Sequence, residues 1–386
     1  MDKNKKIKCR QCGNAIKGAI SKNRICFLCE DYNKYYKPYE KAINSSAIRK
    51  MEQIFASAKE KKAKYDVMLL YSGGGDSTYL LYLLKFKYKL KVLALSVIHP
   101  LVNDLARQNI TKITKKYRID SKKITIKDGT YKEFIKTGLE LIKKKKIKGP
   151  ASACQICNYL RDAAAYNYAL NKKIPVIVTG FNINQLVSVY PVIISDDIKS
   201  RCVNNRPFKL YKELKNYFNK RLRKIHKNSI FDFDLNRLFS QNTAEVIWPL
   251  SFLDLSLDKH KFLSKSQGLD NLLPSKTNCD ALFFYDILCY RKIGVPGKYF
   301  EWLSQIRRLK YCHIFGSHKI SKDQLALFVR ELKKEIGLIL KNKRTVDIKI
   351  LKNRSPKLVK LLKNKESIDY VVKMLNKINY YKNYFR

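Results

Sequence analysis

The sequence predicts an α/β protein built on a doubly wound parallel sheet. Short apolar segments alternate with helical segments from about residue 65 to residue 198, and this alternation is typical of a parallel sheet covered on both faces. A glycine-rich run, SGGGDS at residues 72–77, stands between the first strand and the helix that follows it. Hydrophobic residues make up 45% of the 386 residues, which is enough for a sizeable core.

The predicted elements follow one another along the chain. Apolar residues at roughly helical spacing, among them Ile43, Met51 and Ile54, predict a helix within residues 36–64. The predicted strands are short and mostly apolar, and they are Tyr65–Tyr71, Lys91–Ile98, Lys122–Ile126 and Pro175–Gly180. The predicted helices between them are Ser77–Lys85, Asn103–Tyr117, Tyr131–Ile147 and Cys157–Leu170. Asn103 is a favourable residue to cap the helix that it begins.

Beyond residue 198 the pattern changes. Residues 199–227 hold eleven Lys and Arg with Glu213 as the one acid, which fits either a solvated helical insertion or a clamp for an anionic substrate. Residues 245–256 predict a returning strand and turn. The expected segments are a cysteine module (1–35), a helical linker (36–64), the α/β domain (65–198), a basic insertion (199–244), the end of the core with a helical region (245–337), and a Lys-rich helical tail (338–386).

The chain is strongly basic, with a formal net charge of +48 from 62 lysines and 18 arginines. Basic surfaces bind nucleic acid by releasing counterions from phosphates. A lysine excess spread over the whole chain also fits an AT-rich genome, and a nucleotide-linked substrate fits it too. No segment reaches the roughly 18 apolar residues of a membrane span, and the charged N-terminus does not resemble a signal peptide. The expected location is therefore cytoplasmic.

Four cysteines near the N-terminus have the spacing C-x2-C-x13-C-x2-C, and they are Cys9, Cys12, Cys26 and Cys29. Two such pairs place four thiolates tetrahedrally around zinc, and a site with four protein ligands is structural because it leaves no open position. The sequence therefore predicts an N-terminal zinc ribbon. The alternative is a set of reduced thiols without metal.

A second cysteine pair, Cys154 and Cys157, stands just before a predicted helix. A pair supplies half of a metal site, and Cys279 is the favoured third ligand, with Cys202 and Cys312 as alternatives. Three thiolates could hold zinc or a [4Fe-4S] cluster with one open iron. The alternative is a pair of thiols that pack at the start of the helix.

The glycine-rich run carries the sharpest chemical signal. Glycines let the backbone approach a phosphate closely, and the amides at the start of the following helix attract anions. Ser72 and Ser77 add hydroxyl groups. Asp76 cannot bind phosphate directly, so it is expected to hold Mg²⁺ or to orient the loop.

This run resembles the PP-loop, S-G-G-x-D-S, of the N-type ATP pyrophosphatases, in its residues and in the strand and helix around it. The resemblance implies a HUP-type α/β fold that binds ATP, releases pyrophosphate and leaves AMP on a substrate oxygen. It implies phosphate contacts from Ser72, Gly73, Gly74, Gly75, Asp76 and Ser77, with Asp76 and Ser77 catalytic. It also implies adenine contacts from the backbone of Ser96 and Val97, and substrate or AMP contacts from Gly180 and Asn182.

The chain departs from this family at two places. Several members have lysine where this chain has Gly75, so one phosphate contact is absent. Many members have a Gly-His run followed by an acid after the fourth strand, whereas this chain reads Gly180-Phe181-Asn182 there.

Two branches of the family compete. The chain resembles the tRNA-thiolating enzymes in its N-terminal cysteines, its PP-loop and a later C-x-x-C near Arg161, and in that branch cysteines hold a [4Fe-4S] cluster that delivers sulfur. It lacks their second cysteine module near the C-terminus.

The chain resembles the N-acetyl sugar amidotransferase-like proteins of surface-polysaccharide (lipopolysaccharide) biosynthesis over more of its length. The shared segments are Ser77-Thr78-Tyr79-Leu80, Asn109-Ile110, Gly180-x-Asn182-x-x-Gln185, Trp248-Pro249-Leu250 through Asp254, and Trp302-Leu303-Ser304 to Ile320-Ser321. This branch is the favoured one. It implies ammonia transfer onto an activated N-acetyl group of a nucleotide- or lipid-linked sugar, with a separate glutaminase subunit as the source of ammonia.

Overall fold

The computed structural model describes the central part of the chain and a few positions outside it. The described residues are 10, 24–25, 33, 37–143, 152–181, 244–251, 253, 279, 357 and 360, with the backbone alone for 37–46, 141–143, 152–156 and 251. The predictions for the four zinc cysteines, for Asn182, for the basic insertion and for most of the C-terminal part lie outside these residues.

The described elements alternate along the chain as expected. The strands are β1 (Val67–Leu70), β2 (Val92–Ile98), β3 (Asp120–Thr125), β4 (Val176–Thr179) and β5 (Glu245–Ile247). The helices are α1 (Lys37–Glu60), α2 (Gly75–Tyr82), α3 (Asp104–Lys116), α4 (Asp128–Lys143) and α5 (Ser152–Asn171). A π-helical turn, Leu83–Lys87, continues α2, and a 3-10 turn, Pro249–Ser251, follows β5.

The five strands form one parallel sheet in the order β3-β2-β1-β4-β5. β1 is central, with Leu70 beside Leu95 of β2 on one side and Thr179 of β4 on the other. The chain moves outward in one direction from β1 to β3 and in the other from β4 to β5. In doubly wound sheets, ligands bind outside the carboxyl ends of the strands where this order reverses, which here is the crevice between β1 and β4. The predicted parallel α/β core is confirmed.

The core lies around β1 and α1. All four residues of β1 are buried, and two of them, Val67 and Leu69, share an apolar cluster with Met51, Phe55 and Ala58 of α1. Each fully buried aliphatic side chain of this kind contributes about 1.5–3 kcal/mol. The α1 helix, expected as a linker, therefore packs into the same core as the sheet. β3 differs because five of its six residues are exposed, as expected for a strand at the end of a sheet.

Three helices begin earlier than the sequence pattern predicts, and one of them is α4, which begins at Asp128 rather than Tyr131. α2 begins at Gly75 rather than Ser77, because Gly74 takes the cap position in an extended conformation without a side-chain cap. Asp76 is thus in the first turn of the helix. α5 begins at Ser152, so Cys154 and Cys157 lie within the helix and not before it. The predicted cap at Asn103 is confirmed, since its Oδ1 accepts a 2.9 Å hydrogen bond from the Leu105 amide.

Candidate functional site

The SGGGDS loop leaves β1 through a glycine that no other residue can replace without strain. Gly73 has a φ of +76°, and a β-carbon there would collide with the Ala106 carbonyl oxygen and lie 3.1 Å from Ile110 Cγ1. Both contacts come from α3. The loop therefore lies directly against the backbone of α3, which only glycine allows.

Short hydrogen bonds hold the loop in a closed shape. The Ser72 and Ser77 hydroxyls lie 3.0 Å apart, and the Ser77 hydroxyl donates to the Gly74 carbonyl at 3.1 Å. The Thr78 amide donates to the same carbonyl at 3.0 Å, which closes the first turn of α2. Because no side chain caps α2, and first-turn amides have no acceptor within their own helix, this end of the helix is suited to an anion.

The base of the loop is tied to β2. The Tyr71 amide donates to the Leu95 carbonyl at 2.8 Å, and the buried Ser96 hydroxyl donates to the Tyr71 carbonyl at 2.7 Å. The Tyr71 hydroxyl lies 3.0 Å from Thr78 Oγ1, and burial raises the pKa of this phenol. Ser96 therefore supports the loop through its side chain, a role that the sequence pattern did not indicate.

Val97 presents its backbone beside the loop. Leu95 accepts from Tyr71 on the β1 side, whereas Ile98 accepts from Ile126 on the β3 side. Strand residues alternate in this direction, so the amide and carbonyl of Val97 face β1, beyond the end of β1 pairing at Leu70. This placement suits the predicted backbone contact with adenine, which stays a prediction.

The end of β4 closes the other side of the crevice. A β-carbon on Gly180 would lie 3.3 Å from Ser77 Cβ, which is tighter than ordinary packing. The structure thus brings Gly180 and the loop together, and the predicted contact of Gly180 with substrate or AMP stays a prediction. Thr179, beside Gly180, is buried, and its hydroxyl has no hydrogen-bond partner among the described residues.

A second cluster, formed by His99, Tyr131 and Cys157, lies at the carboxyl ends of the strands. The His99 ring stacks on Tyr131 with centroids 4.6 Å apart, and the Tyr131 hydroxyl lies 3.2 Å from Cys157 Sγ. Burial, aided by the Arg107 guanidinium, lowers the pKa of His99 to about 3, and its Nδ1 has no partner among the described residues. Burial raises the pKa of the Cys157 thiol, opposed by the Tyr131 hydroxyl and by Arg161.

Arg161 connects this cluster to the loop side of the crevice. Its guanidinium lies 4.8 Å from the centre of the Phe181 ring, and Phe181 follows Gly180 in the chain. Arg161 also pairs with the buried Asp162, with Nε at 2.7 Å from Oδ1. Cys157 is therefore one helical turn away from a side chain that reaches the segment after β4.

The predicted metal sites fit the structure to different degrees. Asp76 places a carboxylate in the first turn of α2, and carboxylate and hydroxyl oxygens are suitable ligands for Mg²⁺. Arg10 donates a 2.9 Å backbone hydrogen bond to the Arg24 carbonyl, but the four cysteines lie outside the described residues, and zinc stays a prediction. Neither Cys157 nor Cys279 forms a disulfide, and no group of three metal-ligating side chains comes together within the described residues.

Comparisons with known proteins give limited matches. No family model matches the chain. An uncharacterized protein of Methanocaldococcus jannaschii is 34% identical over 96 residues, which is 25% of this chain, and the chain spans about a third (33%) of that relative. Among the described residues, no helix is both long and apolar enough to cross a membrane.

The solved structures with similar folds are distant. They include the U34-tRNA thiolase of Methanococcus maripaludis with its [4Fe-4S] cluster (18% identity, 82% of this chain and 95% of that one, TM-score 0.33). The NMN synthetase of Francisella tularensis is 15% identical over 74% of this chain and 98% of that one, with a TM-score of 0.34. The NH3-dependent NAD synthetase of Campylobacter jejuni is 16% identical over 71% and 98%, with a TM-score of 0.33. Because the sequence identities and TM-scores are low, a function can be argued only from the geometry of the SGGGDS loop.

Proposed function

We propose that the chain binds ATP at residues 72–77, cleaves it between the α- and β-phosphates, and leaves AMP on an oxygen of a second substrate. The observation that supports this most directly is the loop geometry. A glycine with positive φ lies against α3, two serine hydroxyls meet at 3.0 Å, and an uncapped helix begins at once. Together these features form an anion cradle in the crevice between β1 and β4.

Each residue has a role in this proposal. Backbone amides of residues 74–77 hold the phosphates, assisted by the hydroxyls of Ser72 and Ser77. Asp76 would hold Mg²⁺, which neutralises the charge that develops on the leaving pyrophosphate. The Val97 backbone meets adenine, and Gly180 leaves room beside Ser77. The protein mainly aligns the reactants and stabilises charge, which accounts for a large part of such rate enhancements.

The favoured second substrate is the acetamido group of a nucleotide- or lipid-linked sugar. ATP would activate the carbonyl oxygen, and ammonia from a separate glutaminase would displace AMP to give an acetamidine. Support comes from the segments that resemble the N-acetyl sugar amidotransferase-like proteins. One of them, Asn109-Ile110, contacts Gly73 of the loop through both of its side chains, so this part of the resemblance lies at the proposed ATP site.

Sulfur transfer to tRNA or to a small molecule is the second candidate. The position of Cys157 supports it, because this thiol lies at the same end of the sheet as the loop and near Arg161, which reaches Phe181. Thiols are suitable ligands for an iron–sulfur cluster, and such a cluster would supply or carry the sulfur. The basic composition suits an RNA substrate in this case.

The first experiment measures AMP and pyrophosphate formed from ATP in the presence of Mg²⁺ with each class of acceptor. Asp76→Asn is expected to lower the rate about a hundredfold or more, since it removes the carboxylate nearest the leaving group. Asp128→Asn is the matched control because Asp128 is likewise an aspartate in the first turn of a helix, α4, and it should stay within about twofold. If no AMP forms with any acceptor, the chain is a binding module without this chemistry, whereas equal AMP formation by Asp76→Asn and the unsubstituted chain would show that Asp76 does not hold the metal.

A second experiment separates nitrogen from sulfur transfer. Product formation with ammonium and an N-acetyl sugar, unaffected by Cys157→Ser, supports amidotransfer. A brown protein after anaerobic purification, together with thiolated product that disappears in Cys157→Ser, supports sulfur transfer. A colourless protein that makes only the nitrogen product rules out the second candidate.

A further inference from the structure

The peptide between Gly73 and Gly74 is held by α3. Asn109, a buried residue of α3, donates a 3.1 Å hydrogen bond from its Nδ2 to the Gly73 carbonyl oxygen. The backbone of Ala106, one turn earlier, lies so close that Gly73 has no room for a side chain. Both the position and the direction of this carbonyl are therefore set by α3.

The direction of the carbonyl decides where the next amide points. In a trans peptide the C=O and the following N–H point in opposite directions, and no peptide bond in the described residues is cis. Because the Gly73 carbonyl points toward Asn109, the Gly74 N–H points away from α3 and into the loop. There its acceptor is Ser72 Oγ at 3.4 Å, which is a long hydrogen bond that leaves the amide able to bind a stronger acceptor.

We propose that Asn109 is a positioning residue for the phosphate site, because its hydrogen bond to the Gly73 carbonyl aims the Gly74 amide at the pyrophosphate part of ATP. This inference rests on the proposed function. It adds a residue that does not touch the ligand and that fixes the orientation of a peptide that does. Without the amide donor, the Gly73–Gly74 peptide can rotate, and the cradle loses one aimed N–H.

Asn109→Asp tests this directly. Aspartate has the same size and shape, but its carboxylate has no donor and repels the Gly73 carbonyl. The matched control is Ile113→Val, a buried residue of the same helix that lies one turn further from the loop. With Mg²⁺-pyrophosphate and Mg²⁺-ATP as the probes, Asn109→Asp should raise both dissociation constants about tenfold or more, and Ile113→Val should change them less than about twofold.

A comparison of stability separates positioning from general damage. If Asn109→Asp and Ile113→Val melt within a few degrees of each other and only the first loses affinity, the positioning role is supported. If both keep the affinity of the unsubstituted chain, or both lose it equally, the inference is wrong while the proposed function stands. If the unsubstituted chain binds neither probe, the proposed function fails and the inference fails with it.

A measurement on the unsubstituted full chain guards against a variant that does not fold. The amide ¹⁵N and ¹H shifts of Gly74 should move strongly when pyrophosphate is added, whereas those of Gly129, which has no neighbour near its open side, should not move. Saturable pyrophosphate binding with an unchanged Gly74 signal would overturn the inference without any substitution.

Discussion

Two regions at the carboxyl ends of the strands differ in whether their polar atoms have hydrogen-bond partners. In the loop region, residues 71–78, the serine hydroxyls, the Tyr71 hydroxyl and the Gly74 carbonyl all have partners within 3.1 Å. In the cluster of His99, Tyr131 and Cys157, the imidazole is neutral and one of its nitrogens lacks a partner among the described residues. The first region fits the proposed anion site, whereas in the second, burial favours the neutral forms of His99 and Cys157.

The largest predicted effect comes from a substitution that disrupts the loop region. Gly73→Ala forces an L residue into positive φ and against the α3 backbone, so it should destabilise the chain by about 2–4 kcal/mol and abolish pyrophosphate release. Gly129→Ala is the control, because nothing lies within 4 Å of its open side and it belongs to a helix. It should be neutral or stabilise by up to about 1 kcal/mol. Chemical denaturation measures both, and equal stabilities would contradict the packing argument.

The second predicted effect is a dependence of stability on pH that arises from His99. The pKa of His99 is lowered from 6.5 to about 3 by burial and by Arg107, so between these values the unfolded chain binds a proton that the folded chain does not. Stability should therefore fall as the pH drops below about 6.5, by about 2 kcal/mol between pH 7 and pH 5 from this residue. His99→Phe keeps a ring for Tyr131 and should remove that part of the pH dependence. An unchanged slope would show that the pKa of His99 in the folded chain stays near its ordinary value.

The smallest effect compares two tyrosine hydroxyls. Tyr71→Phe removes the hydroxyl that meets Thr78 and should cost about 1 kcal/mol. Tyr88→Phe removes a buried hydroxyl without a partner among the described residues, so it should be neutral or slightly stabilising. Both variants keep their rings. A larger loss for Tyr88→Phe than for Tyr71→Phe would show that the loop network contributes little to stability.

The elements that could be predicted from the sequence are those formed by continuous runs of similar residues. Both ends of strands β1, β2 and β4 were predicted to within two residues, because each strand is a short apolar run. The start of α5 was missed because small residues at 151–153 carry no helical periodicity, and α2 was started late because Gly74 caps it without a side chain. The residue pattern along the chain does not indicate where the backbone begins these helices.

The candidate site was predicted in part for the same reason. The loop, Val97 and Gly180 follow from the rule that ligands bind at the carboxyl ends of parallel strands. The supporting side chains do not: Ser96 was predicted only for its backbone, and the side chains of Ser96 and Asn109 act on backbone groups more than twenty residues away in the chain. His99 stood alone in the sequence, and its stacking on Tyr131 needed the fold to bring β2 and α4 together.

The exposed strand β3 gives part of the basic charge a physical use. Within the described residues it pairs with β2 alone, and Lys122 and Lys123 stand exposed near its middle. Charged side chains on such a strand oppose its pairing with a strand of another molecule. We therefore expect these two lysines to disfavour edge-to-edge association of two molecules through β3.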